Sequence, residues 1–358
     1  METDIKKATR EYEGWMRSRA PLVESHLRDK HAMMKADPFQ FFRGTYYRWA
    51  KLWPELCRAL LDTPVVLSVG DLHVDSFGTW RDSEGRLCWG VDDFDEGWPL
   101  PYTNDLVRLA ASVKIARKLG LLDIRLRRAC DIILEAYGNT LKAKGCPIVL
   151  AEQERQLEKL GITALKTPLG FWQKLNEHPV FSGRLPPDAK NSLLRTFPDH
   201  HLKYKVIQRE AGLGSLGQQR FVAIADCHGG CVAREAKRLV PAANEWLGGK
   251  NGATRLYYDK ILRSAVRSRD PFQSVHKSWL IRRLSPDSNP IHVAELAGKR
   301  DESVLIRAMG TEAANIHLGS LNSKDILIDL KRREADWLRR AAKRMAKAVI
   351  REWKQYAS

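Results

Sequence analysis

The sequence predicts an α+β fold, rich in helix and built in two lobes, on three observations. Apolar residues recur at helical spacing over long stretches, most clearly at Leu106, Leu109, Ala110, Val113 and Ala116. A compact group of strand-like runs with glycine-rich turns lies between residues 203 and 240. Well before that group, two strand-like runs, Val65–Val69 and Arg86–Val91, each end in acidic residues. The expected organisation is a basic helical segment over 1–35 and a mostly helical lobe carrying the acidic centre over 36–200. A β-rich lobe with the glycine-rich turn follows over 201–295, and C-terminal helices over 296–358 pack on the larger lobe.

Taken in order, residues 3–35 read as helical, with Trp15, Leu22, Val23 and Leu27 as core candidates. The aromatic stretch Asp37–Gly44 reads as a packed corner, broken by Pro38 and Gly44; its Arg43 either packs there or steadies an acidic or phosphate group. The turn Asp82-Ser83-Glu84-Gly85 is expected to let Val65–Val69 and Arg86–Val91 pair as neighbours. A helix starts at Thr103 or Asn104 after Pro99-Leu100-Pro101 and ends at Gly120, with Asp105 in its favourable first turn. A second helix runs from Asp123 to Ala143, and weaker ones lie near 151–160 and 168–176. Lys203–Arg209, Arg220–Ala225, Cys231–Ala236 and Ser278–Leu284 read as strands, and Asp301–Leu318 and Ser323–Lys354 as helices.

At 358 residues and 44% apolar content, the chain holds enough material for a large core or two lobes. A net charge of +17, spread along the chain, favours anionic partners: nucleotides, phosphorylated metabolites, acidic surfaces or nucleic acid, the last on charge alone. No apolar run of about 18 residues exists, so no membrane span is expected. The N-terminus lacks the apolar core of a secretory leader, and six cysteines then read as reduced thiols in a cytoplasm. Cys227 and Cys231 flank His228 but lack the second half of a zinc site.

The chemistry concentrates at the two acidic strand ends. The first gives Asp71, His73, Asp75 and Ser76, and the second gives Asp92, Asp93, Asp95 and Glu96. Carboxylates so crowded repel unless a cation lies among them, and hard oxygen ligands suit Mg2+ or Mn2+ shared with a phosphate. The run Gly212-Leu213-Gly214-Ser215-Leu216-Gly217 is followed by a strand and a hairpin turn, not by a helix, which argues against a dinucleotide fold. A glycine loop between antiparallel strands is the protein-kinase arrangement, in which the loop covers ATP phosphates.

Phosphoryl transfer then assigns the parts. Asp71 and His73 are the catalytic candidates. Asp93, Asp95 and Ser76, five residues after Asp71, are the metal ligands. Gly212, Gly214, Ser215, Gly217 and Arg234 form the ATP-binding set, Arg234 standing where a kinase has its phosphate-pairing lysine. Lys237, three residues further along the same strand, faces the opposite side. Because the acidic centre precedes the glycine loop, the expected fold is a circularly permuted, protein-kinase-like one, with Gly214 close to Asp71 and Asp93. The phosphate acceptor is an unidentified small-molecule or protein hydroxyl.

Several stretches carry a family resemblance: Asp37–Gly44, Gly70–Gly78, Asp92–Glu96, Asn104–Ser112, Gly212–Gly217, Arg234–Ala236 and the helix around His317. In this order, from about residue 32 to 320, they resemble the uncharacterised DUF2252 family, whose pattern is similar to that of aminoglycoside-phosphotransferase-like kinases. The likeness implies that Asp71 is the base, Asp93 a metal ligand, and Asp105 a brace for the catalytic loop. It leaves His73 either bonding the loop backbone or touching substrate. Ser76 stands where the family usually has Asn, and Arg234 where it usually has Lys, a non-conservative exchange. Those departures keep open a pseudokinase or basic interaction module that binds nucleotide without turnover. A metallophosphoesterase is the lesser alternative: Leu67–His73 resembles the start of such enzymes, yet no Gly-Asn-His follows and His200-His201 is an isolated pair.

Overall fold

The computed structural model describes residues 4–153, 157, 167–199, 201–249, 254–288, 290, 291, 293, 302–321 and 323–358. It is α+β and helix-rich, with a five-stranded antiparallel sheet and two two-stranded ones. No helix among the described residues is long and apolar enough to cross a membrane. The distal part of the weak helix expected near 151–160, and His200, lie outside the described residues; Leu150–Gln153 is helical.

The N-terminal segment forms two helices, Ile5–Arg19 and Glu24–Ala36, separated at Ala20-Pro21, where proline removes a donor. The aromatic stretch is itself a short helix, Pro38–Gly44, and not an irregular corner. Pro38 occupies its first turn, and the Asp37 carboxylate accepts from the amides of Phe39 and Gln40. The helix Tyr46–Leu56 follows. The helices expected from Thr103 and Asp123 span Thr103–Lys118 and Leu126–Lys142.

The long helix expected over Ser323–Lys354 is two, Ser323–Arg332 and Trp337–Ala357, broken at residues 333–336. The second, 21 residues long, packs on Thr103–Lys118 and on the N-terminal helices. It is fastened by Glu352, buried against Arg48 with an Nε–Oε1 distance of 3.1 Å.

The strand pairing departs from expectation in one respect. Strand β1 (Val65–Ser68) does not pair with the run ending at Val91; it pairs with β4 (Trp98–Pro101). The turn at 82–85 joins β2 (Phe77–Arg81) to β3 (Leu87–Val91) as a hairpin, so Phe77–Arg81 takes the partner position that Val65–Val69 was expected to fill. The two acidic strand ends still converge, because the Asp92 amide bonds the Ser76 carbonyl at 3.2 Å.

The large sheet runs in the order β5 (Tyr204–Gln208), β6 (Arg220–Cys227), β7 (Gly230–Arg238), β9 (Trp279–Leu284), β8 (Ser274–His276). Side chains alternate between its faces. Phe221, Ala223, Ala236 and Ile281 point to one side and pack with Ala189 and Leu193 of the helix Pro187–Arg195. Ile207, Val222, Ala233 and Leu284 point to the other, where Phe171 and Leu175 of the helix Pro168–Glu177 cover them. Further along that second face the residues turn charged: Arg220 stands opposite Lys237, and Glu235 opposite Arg282.

Candidate active site

That charged end of the sheet faces a cleft of about 600 Å3, closed on the other side by the acidic loops and by the N-terminal helices. The Asp71 loop is the most firmly fixed part. Gly70 adopts φ +77°, and a Cβ there would lie 2.3 Å from the Glu96 carbonyl oxygen, so only glycine fits. Asp105, fully buried, accepts from the amides of Val69 at 2.7 Å and Gly70 at 3.0 Å. It also accepts from His317 Nε2 at 3.0 Å, while His317 Nδ1 meets the Tyr137 hydroxyl at 2.7 Å. Asp105 thus holds the backbone that presents Asp71.

The Asp71 side chain is fixed in turn. Its Oδ1 receives Arg108 Nε at 2.7 Å, and Arg108 is wholly buried with its guanidinium 4.0 Å over the Phe42 ring. Its Oδ2 lies 3.8 Å from the Cβ position of Gly214, so the middle of the glycine loop stands over it. His73 packs edge-on to Phe39 and Phe42, and burial drives its imidazole down to about 4. The neutral ring accepts the Asp75 amide at Nδ1 (3.1 Å), which leaves the proton on Nε2, 3.9 Å from Asp71. His73 therefore bonds loop backbone while lining the cleft. Ser76 Oγ accepts the His73 amide at 2.9 Å and gives its proton to the Asp71 carbonyl at 3.0 Å. Arg43 steadies an acidic group: it pairs with Asp75 at 3.0 Å, whose other oxygen accepts the Val293 amide.

Asp93 and Asp95 meet across Lys237. Lys237 Nζ is 2.9 Å from Asp93 Oδ2 and also pairs with Asp95 Oδ2. Burial and the neighbouring Asp93 charge push Asp95 up to about 7, against the pull of Lys237, while Lys237 holds Asp93 low against its own burial. Asp95 Oδ1 is buried and receives no hydrogen bond. A hard divalent cation takes one or two carboxylates and completes its shell with phosphate oxygens and water. Asp93 and Asp95, with that spare oxygen, fit such a share. Among the described residues no three His, Cys, Asp or Glu side chains are placed to hold a metal by themselves.

The glycine loop joins β5 to β6. Gly212 (φ +72°), Gly214 and Ser215 line the cleft; Ser215 Oγ bonds the Gly212 carbonyl at 3.2 Å and accepts Arg220 Nη2 at 3.0 Å. Gly217 (φ +97°) lies elsewhere: a Cβ there would meet Leu27 Cδ2 at 2.5 Å, and its carbonyl accepts the Val23 amide at 2.7 Å. It joins the loop to the N-terminal helices and does not line the cleft. Glu210 reinforces that junction, 2.8 Å from His26 Nε2.

Arg234 is likewise away from the cleft. Its Nε donates to the Thr196 carbonyl at 2.9 Å and its guanidinium stacks 4.5 Å over Phe272. The alternation that separates residues 234 and 237 puts Lys237 inside, so the strand does deliver a lysine to the site, three positions later. Two further groups escaped the sequence reading. Glu235, wholly buried, gathers Arg209 (3.0 Å), Arg220 (2.8 Å) and Arg282 (2.7 Å), all lining the cleft. Lys30, from the Glu24–Ala36 helix, donates to the Gly214 carbonyl at 3.0 Å. Charges at alternate positions of one strand, 235 and 237, were the available sign of the first; the second had none, because its neighbours are remote in sequence.

The assembly defines an α+β protein whose cleft sets a braced carboxylate and an acidic pair beneath a glycine-rich loop. Residues 21–166, which carry the acidic centre, match the model of a family described as an uncharacterized protein conserved in bacteria, DUF2252. The match ends before the glycine loop. Neither the curated proteins nor the solved structures yield a match.

Proposed function

We propose that this protein is an ATP-dependent phosphotransferase of circularly permuted, kinase-like architecture, acting with Mg2+ or Mn2+ on a small-molecule or protein hydroxyl. The observation that carries the proposal is the approach of Gly214 to Asp71 Oδ2, 3.8 Å from the Cβ position, across 143 residues of sequence and within one cleft. In support, the lysine that reaches the acidic pair lies on the third strand of the glycine-loop sheet, as in kinases. On this reading Asp71 orients the acceptor hydroxyl and takes its proton at Oδ2, Arg108 having fixed Oδ1. Asp93 and Asp95 hold the cation, which when bound neutralises charge on the transferring phosphates. The glycine loop keeps water from the phosphates.

Calorimetric titration of Mg-ATP into the wild type, Asp93→Ala and Gly214→Asp tests it. Metal-dependent binding by the wild type, abolished in both variants, is expected; Gly214→Asp sets a second carboxylate against Asp71 and the phosphates. A wild type that binds no Mg-ATP refutes the proposal. One observation favours binding without turnover: Ser76 gives its only proton to the Asp71 carbonyl and accepts the His73 amide, so the metal-ligand position after Asp71 is largely committed within its own loop. Mg-ATP binding with no ADP formed in the presence of broad acceptor mixtures would select that reading.

A further inference from the structure

The cleft contains two buried lysines in different electrostatic states. Lys237 meets two carboxylates. Lys30, only 5% exposed, meets the Gly214 carbonyl and forms no ion pair among the described residues. Three carboxylates lie near enough to attract it through space, and each is otherwise engaged. Glu13 bonds His31 at 2.5 Å, and Asp71 is taken by Arg108. Glu96 accepts the Ala243 amide at 2.7 Å. A buried ammonium without a counter-ion is unfavourable, and burial lowers the proton affinity of Lys30 accordingly. An ammonium also carries three donors, and Gly214 uses one.

We propose that Lys30 is the cation that holds the terminal phosphate of the nucleotide, the ligand charge for which this buried ammonium is left unpaired. The proposal rests on the phosphotransferase reading and deepens it. Its position follows from the loop: Lys30 bonds the carbonyl of the residue that stands over Asp71, so its charge lies where a phosphoryl group would meet an acceptor hydroxyl. The Lys30 stem reaches that point past Gly44, with Cε 3.6 Å from the Cβ position there. The phosphate-binding cation thus comes from the N-terminal helices, while Lys237 serves the acidic pair.

The test is calorimetry of ATP, AMP and inorganic tripolyphosphate, each with Mg2+, on the wild type, Lys30→Met and Lys237→Met, with thermal unfolding of each. Lys30→Met should weaken ATP and tripolyphosphate by about 30-fold, the loss of one charged hydrogen bond, and leave AMP nearly unchanged. Its unfolding temperature should hold or rise, since an unpaired buried charge has become apolar. Equal weakening of ATP and AMP, unchanged ATP affinity, or an unfolded variant would each overturn the assignment and make Lys30 a structural tie to the loop. A wild type that binds tripolyphosphate through Lys30 but not ATP would retain the anion site and remove the nucleotide reading. A wild type that binds neither removes both.

Discussion

Replacing Asp105 with asparagine changes one atom type and should unfasten the loop that presents Asp71. The carboxylate accepts four hydrogen bonds, from the amides of Val69 and Gly70, from His317 Nε2 and from Asn104 Nδ2, and it is fully buried. Val69 and His317 share Oδ2, while Gly70 and Asn104 share Oδ1. An asparagine amide keeps one oxygen acceptor and turns an NH2 group toward the other donors, so at least one N–H loses its partner and faces another donor. Losing charge-assisted bonds while stranding buried donors costs about 3–5 kcal/mol. Equilibrium unfolding in urea, followed by tryptophan fluorescence, measures that loss, and amide exchange at Val69 and Gly70 locates it. A double cycle with His317→Gln should show coupling on the order of 1–3 kcal/mol, because the two side chains share one bond. A loss below about 1 kcal/mol, with the slope unchanged, would refute the view that this carboxylate fixes the loop.

Two other perturbations follow from the same geometry. His73 stays neutral in the fold down to about pH 4, whereas its unfolded counterpart takes up a proton near 6.5. The unfolded state then binds more protons in that window, so stability falls as pH drops through it. The wild type should lose about 3 kcal/mol more than His73→Gln between pH 7 and 4; parallel pH profiles would show the ring to be solvated. Glu235→Leu strands three arginines on one sheet face and should cost on the order of 3–5 kcal/mol in chemical denaturation, and a variant as stable as the wild type would mean that the guanidiniums repair to solvent.

Where local chemistry decides, the sequence was legible. The helix start at Thr103, just after Pro99 and Pro101 and with Asp105 in its first turn, and the run of strands from 204 to 238 follow from proline placement, dipole preference and period-two alternation. The acidic centre was equally plain, because carboxylates at strand ends have few structural uses. The errors were errors of partnership. Nothing in Phe77–Arg81 distinguishes a strand from a polar loop until the turn at 82–85 closes it on Leu87–Val91. Arg234 and Lys237 present a pure parity choice: both are cations on one strand, and only the packing of Ala233 and Leu284 beneath Phe171 and Leu175 fixes which face meets the cleft. Lys30 lies 184 residues from the loop it touches, a distance over which no spacing rule operates.

The two halves of the acidic centre are held by different partners, and on the proposed function the difference suits phosphoryl transfer. Asp71 is over-determined: Arg108 holds its side chain, Asp105 its preceding amides, and Ser76 its own carbonyl. A carboxylate that must meet a hydroxyl within hydrogen-bond reach gains from such fixing, since small misplacement is expensive in rate. Asp93, Asp95 and Lys237 instead satisfy one another, with a spare Asp95 oxygen and a carboxyl pushed up to about 7. On the proposed reading, a cation held by Asp93 and Asp95 would take the place of the Asp95 proton and of the Lys237 ammonium between them. Cation affinity should therefore rise as pH climbs through 7. Calorimetry of Mg-ATP at pH 6 and pH 8 reads this directly: proton release at pH 6 that fades by pH 8 is expected, and identical proton balance at both would place Asp95 outside the cation site.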